Sequence, residues 1–384
     1  MTSTLKPEQK SDLLSRGFSR RAFGKIATLI AAGSVLPFMS EASLAQLSAV
    51  RGMPADAVKI DANENPLGPC AEALAAAAAI LKNGGRYMYG ETDAFCETLA
   101  SQEGLKAENV KAYPGSSAPL HHAVITFTSP QKAFIICDPG YEAGEQAARF
   151  IGSKVVRVPL LKPSCAHDVK AMAAAAAASN AGLIYLCNPN NPTGTITPRQ
   201  DIEWLVANLP GGAVLMLDEA YIHFAGEKTG TDFVAAGKDV IVLRTFSKIY
   251  GMAGLRAGAA IARPDLLQKI GQYNAGALPT TGMAAATASL KSPTLVEQRR
   301  KIIGAVREDV LSFLRGKGYE VTPAVSNCFM INVNRPGAQV LTALRAEKVY
   351  IGRTWPSWPT FVRVTVGTTE EMEKFKAAFM KVIA

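Results

Sequence analysis

Three short apolar runs in the middle of the chain, each emptying into a polar cluster, constrain its fold more than any other feature. Leu183–Cys187, Ala213–Leu217 and Asp239–Arg244 are dominated by Leu, Ile and Val and read as buried strands. The first runs into Asn188-Pro189-Asn190-Asn191-Pro192-Thr193-Gly194, the second into Asp218-Glu219-Ala220-Tyr221, the third into Thr245-Phe246-Ser247-Lys248. In open α/β sheets, ligands bind outside the carboxyl ends of the strands. The three clusters therefore mark one expected site.

Lys248 gives that site its chemistry. A lysine at the end of a buried strand is stripped of water, which favours its neutral, nucleophilic amine. Such an amine condenses with an aldehyde. Thr245 and Ser247 place hydroxyls beside it, and Arg256 adds a fixed positive charge eight residues on. Hydroxyls and a guanidinium around a desolvated lysine suit an aldehyde that carries a phosphate. A second phosphate-binding feature is Val110-Lys111-Ala112-Tyr113-Pro114-Gly115-Ser116-Ser117, which enters a helix at Ala118-Pro119-Leu120. Free amides and the helix dipole at such an N-terminus attract anions.

With these motifs in order and at compatible spacing, the chain resembles the fold-type-I pyridoxal-phosphate aminotransferases. Within them it is most similar to the histidinol-phosphate aminotransferase family, over about Ile60 to Thr368. The resemblance implies an α/β fold with a large, mostly parallel sheet covered by helices on both faces and a smaller α/β C-terminal domain. It implies pyridoxal 5'-phosphate as cofactor and Lys248 as its covalent anchor and proton shuttle. Asp218 would hold the proton on the pyridine nitrogen, Asn191 and Tyr221 would face the phenolate oxygen, and Tyr141 would stack on the ring. Ser116, Ser117, Thr245, Ser247 and Arg256 would hold the phosphate. Tyr87, in a segment with Met88 where the family carries proline, would reach the phosphate of a partner subunit, implying a homodimer with shared sites. Arg363 would grip the substrate carboxylate, with Arg353 as a second anion contact and Asn63 on the entry segment at the site mouth. Ala118 and Pro119 depart from the acidic residue usual after the serine. The reaction implied is transfer of an amino group between an amino acid or amino-alcohol phosphate and a 2-oxo acid. An aromatic or other amino-acid transaminase, a decarboxylase of the same fold, and a protein that binds the cofactor without turnover are the alternatives. Intact Lys248, Asp218 and Arg363 argue against the last.

The N-terminus reads separately. Ser19-Arg20-Arg21-Ala22-Phe23-Gly24-Lys25 precedes a moderately apolar run from Ile26 to Phe38, and Ser43-Leu44-Ala45 offers small residues for cleavage. This resembles a twin-arginine export signal, implying a translocase partner and a periplasmic enzyme, an amphipathic helix in a cytoplasmic one being the alternative. Residues 1–45 carry six cations against three carboxylates, so their removal lowers the net charge from +9 to +6. With no basic run, nucleic acid is a poor candidate partner. The six cysteines show no metal-ligand spacing. The expected organisation is a signal over 1–45, an N-terminal segment over 46–81, the cofactor domain over 82–275 and the small domain over 276–384.

The small domain is expected to hold a charged helix over Leu295–Lys317 and alternating strands over Cys328–Val333 and Phe361–Gly367. Between Arg353 and Arg363 lies Thr354-Trp355-Pro356-Ser357-Trp358-Pro359-Thr360. Proline stiffens this loop, so its two indoles either wall the site mouth or pack the loop onto the small domain.

Overall fold

The computed structural model describes residues 5–32, 53–273 and 277–383. Its strands in chain order are β1 (Val58–Ile60), β2 (Val110–Tyr113), β3 (Phe134–Asp138), β4 (Val155–Pro159), β5 (Leu183–Cys187), β6 (Val214–Asp218), β7 (Val240–Thr245), β8 (Gly258–Ile261), β9 (Cys328–Asn332), β10 (Val349–Ile351) and β11 (Phe361–Thr365). Seven form the central sheet in the order β2-β8-β7-β6-β5-β3-β4. Neighbouring pairs from β4 to β7 are parallel, and β8 runs antiparallel to both β7 and β2. The expected runs fall on β5, β6 and β7, and every residue of these three strands is buried. Fully covered strands need no polar face, which is why they read as continuous apolar runs.

The reversed β8 matters for function. Because it runs against its neighbours, its first residue, Gly258, lies opposite Thr245 and Tyr113 at the carboxyl ends of β7 and β2. Arg256, just before β8, is thereby delivered to the same edge of the sheet as the loops after β2, β5, β6 and β7. A Cβ on Gly258 would run into the backbone of Gly115 and Arg244, so only glycine admits this approach.

Two small sheets complete the structure, a parallel pair β1–β10 and an antiparallel pair β9–β11. β1 ties the entry segment to the C-terminal region. The expected alternation in β9 and β11 is absent: four of five residues in each are buried. The outer residues of β9 do not meet water because the strand start lies against the turn after β5, where Gly194 packs on the Cys328 carbonyl. The helix Leu295–Gly316 forms as expected, and Thr280–Lys291 packs against Ala71–Ile80 and Tyr89–Gln102.

At the N-terminus, helices Pro7–Ser15 and Ala22–Ala32 lie on the body. Leu13, Phe18, Ile26 and Leu29 are buried, the second helix resting on Ser117–Phe127 and Ala143–Ile151. Arg16 donates to the carbonyls of Ile125 and Thr128 (2.5 and 2.8 Å), acceptors that the end of helix Ser117–Phe127 leaves open. Arg20 and Arg21 remain exposed. Residues 33–45, with the expected cleavage region, lie outside the described residues.

Candidate active site

The site is built where the sheet's carboxyl edge meets the entry segment and β11. Lys248 leaves the end of β7 and is buried, its Nζ donating to the carbonyls of Asn63 (2.9 Å) and Ala62 (3.2 Å). The ammonium lies 5.6 Å from the centre of the Tyr221 ring. The entry segment thus closes directly over the lysine.

On one side of Lys248 lies an anion cradle. Thr245 Oγ1 donates to Ser247 Oγ (2.9 Å), and Arg256 reaches Ser247 Oγ (3.3 Å) and the carbonyls of Pro114 and Ala253 (2.9 Å each). Ser116 and Ser117 stand at the N-terminus of helix Ser117–Phe127. Gly115 turns at φ +94°, and a Cβ there would collide with the Arg256 guanidinium. Arg256 itself is held at φ 54°, a left-handed conformation rare for arginine and characteristic of constrained functional positions. Burial holds its pKa below the usual value.

On the floor, Asp218 ends β6, with 3% of its surface exposed. Tyr185 donates its hydroxyl to Oδ2 (2.8 Å) and the Ala220 amide donates to Oδ1 (3.1 Å). Burial pushes the Asp218 carboxyl up to about 6 in spite of these donors and of Lys248. Such a carboxylate is under-compensated and suits a cationic N–H partner. Tyr185 escaped the sequence reading because it sits inside an apolar run. Its position on β5, two residues before the partner of Asp218, makes it a diagonal neighbour on the same face. Beneath them Glu219 and Glu103 pair with buried Arg244 (2.8 and 3.3 Å) and brace the strand ends.

The side facing the entry segment and β11 is made by contacts distant in sequence. Tyr221 hydroxyl receives Asn63 Nδ2 (3.1 Å) and Asn191 Nδ2 (3.4 Å). Asn191 Oδ1 in turn accepts from Arg363 Nη1 (2.9 Å), and Arg363 also binds the Asp61 carbonyl. Arg363 is fully buried on β11. Thr365, two residues on, accepts from the Asn63 amide (2.9 Å) and donates to its side chain (3.0 Å), fixing Asn63 at φ 52°. Thr365 and Asp61 carried no signal of their own in the sequence.

Tyr141 follows β3 and is buried. Arg353 pairs with Glu142 (2.8 Å), a partner the sequence reading did not identify. The two tryptophans differ. Trp355 is buried, donates to the Gly140 carbonyl (2.9 Å), and lies under both Arg353 and Arg363, at 4.7 and 5.7 Å from its ring. Trp358 packs on Phe361 (4.7 Å) and on the cluster of Cys137, Leu160 and Cys165. A wall of two indoles at the mouth is therefore not formed; a tight turn, closed by Trp358 N to Trp355 O (2.9 Å), sends the rings to different places. Tyr87 is 73% exposed, stacks on Tyr89 (5.9 Å) and takes no part in the site of its own chain. All six cysteines are free.

This arrangement can bind a flat, phosphorylated, cationic ring beside a primary amine, with a guanidinium for an acidic substrate group. Comparison with known proteins agrees. The family model for aminotransferase class I and II matches residues 55–379. A histidinol-phosphate aminotransferase of Moorella thermoacetica is 32% identical over 343 residues, covering 86% of each chain. An aromatic amino acid aminotransferase of Nocardia farcinica is 33% identical over 326 residues, covering 83% of this chain and 90% of its own. The histidinol-phosphate aminotransferase of Sinorhizobium meliloti, in a crystal structure with pyridoxal-5'-phosphate, superposes with a TM-score of 0.80. It shares 23% identity and covers 91% of this chain and 95% of its own, a likeness of fold.

Proposed function

The chain belongs to the class I and II aminotransferases, and on that premise we propose that it moves an amino group from a ring-bearing donor, histidinol phosphate in the first place, to a 2-oxo acid. It is a pyridoxal-phosphate enzyme, and its donor set fits that cofactor. The observation that carries the reading is the convergence of Lys248, Asp218 and Arg256 on one edge of the sheet, with Arg363 facing them through Asn191.

When bound, the cofactor supplies an electron sink for charge that develops at the substrate α-carbon. Everything else falls to the protein. Thr245, Ser247, Ser116, Ser117 and Arg256 would hold the phosphate by charge-assisted donors and a helix N-terminus. The Asp218 carboxylate, oriented by Tyr185, would keep a proton on the pyridine nitrogen. Tyr221 and Asn191 would donate to the phenolate oxygen, and buried Tyr141 would face the ring. Lys248 Nζ would be the base that takes the substrate α-proton and holds it for return. Arg363 grips the acidic group of the substrate. Because Asn191 touches both Tyr221 and Arg363, cofactor and substrate positions are linked through one amide. Buried Trp355, adjoining both arginines, supports a ring-bearing substrate.

Transamination of aromatic amino acids is the second reading, favoured by the same indole and by the likeness to the Nocardia enzyme. A screen of histidinol phosphate, phenylalanine, tyrosine, alanine and aspartate against 2-oxoglutarate separates the two. Faster turnover of alanine or aspartate than of every ring-bearing donor would sink both.

The proposal includes a homodimer with shared sites, supported by the exposed Tyr87–Tyr89 pair and by the exposure of Leu74 and Leu81. It also includes export by the twin-arginine route to the periplasm. Exposure of Arg20 and Arg21 on the docked N-terminal segment supports this, since a receptor can reach them. Replacing both with lysine should retain the protein in the cytoplasm; unchanged periplasmic recovery in a fractionation assay rejects the signal.

A further inference from the structure

The loop that carries Tyr141 is fastened to the Trp-rich loop at every second residue. Ser357 Oγ donates to Asp138 Oδ1 (2.7 Å), Trp355 Nε1 donates to the Gly140 carbonyl (2.9 Å), and Arg353 donates to the Glu142 carboxylate (Nη2–Oε2 2.8 Å). Positions 138, 140 and 142 thus meet 357, 355 and 353 in antiparallel order. The first two rungs are a hydroxyl and an indole on fixed acceptors. The third is an ion pair in which both side chains keep some water contact, 14% for Arg353 and 19% for Glu142.

Arg353 is also placed on the substrate side. Its guanidinium and that of Arg363 lie within 4.7 and 5.7 Å of the same Trp355 ring. Arg353 and Arg363 are joined through the backbone as well, the Arg363 amide donating to the Arg353 carbonyl (3.3 Å). A substrate with two acidic groups would need both cations, and Glu142 already engages one of them.

We propose that Glu142 is a specificity-determining residue that competes with the second acidic group of a substrate for Arg353. The proposal rests on the reading of Arg363 as the primary anion contact. A substrate with one acidic group leaves the third rung closed. One with a distal carboxylate or phosphate has to displace Glu142, which opens the rung next to Tyr141. Glu142 acts through Arg353 and is a positioning residue; the reacting atoms lie elsewhere.

The test compares 2-oxoglutarate, with two carboxylates, and phenylpyruvate, with one, as acceptors for the same donor. E142Q keeps the shape of the side chain and removes its charge. The KM for 2-oxoglutarate relative to that for phenylpyruvate should fall roughly three- to tenfold, the range set by a partly exposed ion pair. The ratio of kcat values should move less than about twofold, because the change acts in binding. In an R353M background, E142Q should no longer move the KM ratio, as a double-mutant cycle requires when one residue acts through the other. A second readout needs no turnover: spectral titration of the cofactor-loaded protein with glutarate and with 3-phenylpropionate, where E142Q should favour glutarate by a similar factor. A ratio that stays constant or rises, or an equal shift in the R353M background, overturns the proposal. Absence of turnover with every donor would defeat the transaminase reading and leave the glutarate titration to decide on Glu142.

Discussion

The cofactor side and the substrate side of this site are made in different ways. The cofactor side is assembled from strand ends. Asp218, Thr245, Ser247, Lys248 and Arg256 each sit within a few residues of a strand in one sheet, and the hydrogen bonds of that sheet fix their spacing. The substrate side is assembled from segments far apart in the chain, as in Asn63 with Thr365, Arg363 with Asn191, and Arg353 with Glu142. A site on rigid strand ends is preorganised, which electrostatic catalysis requires. A site on contacts between entry segment, turn and small domain can adjust to donor and acceptor in turn. The cofactor side should therefore fail completely when altered, and the substrate side by degrees.

The largest expected effect is that of Lys248→Ala. Among the described residues no other lysine donates to the carbonyls of Ala62 and Asn63, so turnover should fall by at least about 10⁴-fold. Borohydride reduction of the loaded wild-type protein followed by peptide mapping should find the cofactor on Lys248. A label on a different lysine breaks the assignment.

Asp218→Asn should also abolish turnover, yet its effect on the apoprotein has the opposite sign. The folded carboxyl titrates at about 6 against an ordinary value of 3.8, so the folded state binds its proton more tightly than the unfolded chain. The stability this gives is present below about pH 4 and is lost as pH rises through about 6. Asparagine carries no such dependence. Between pH 4 and pH 7 the wild-type apoprotein should lose about 2 kcal/mol relative to Asp218→Asn. Urea unfolding of both apoproteins at the two pH values measures this. A difference independent of pH would mean that Asp218 stays ionised without strain.

The contrast also explains what could be read from the sequence. Lys248, Asp218 and the Asn191 turn were legible because each follows an apolar run, and the sheet then brings the run ends together. Tyr185 was not legible, since a tyrosine inside a buried strand looks like core until register places it diagonal to Asp218. Nor was the Glu142–Arg353 pair, whose partners stand more than two hundred residues apart with no periodicity to relate them. Alternation was expected in β9 and β11 because one solvated face was assumed, whereas the turn after β5 covers the start of β9. The docking of the N-terminal helices was hidden likewise: the run from Ile26 reads the same whether it faces a membrane machinery or helix Ser117–Phe127.

The smallest effects should come from the two tryptophans, and they sharpen the comparison within the substrate side. Trp355 touches both arginines and the Tyr141 loop, while Trp358 packs outward on Phe361, Leu160 and Cys165. Removing the buried Trp355 indole as alanine costs about 3–5 kcal/mol of packing and removing half-buried Trp358 costs less, so the two are compared through a ratio of substrates. In Trp355→Ala, kcat/KM for ring-bearing donors relative to alanine should drop roughly three- to tenfold, the value of one aromatic contact. In Trp358→Ala the ratio should stay within about twofold, although the melting temperature falls. Trp355→Phe is the finest probe. It keeps a ring beside Arg353 and Arg363 and removes the N–H that binds the Gly140 carbonyl, a loss of roughly 0.5–1.5 kcal/mol. The Tyr141 loop should then loosen while ring selectivity persists, so cofactor affinity falls by a few-fold at a nearly constant donor ratio. If Trp358→Ala shifts the donor ratio as much as Trp355→Ala, the loop acts as one scaffold and Trp355 holds no separate place in specificity.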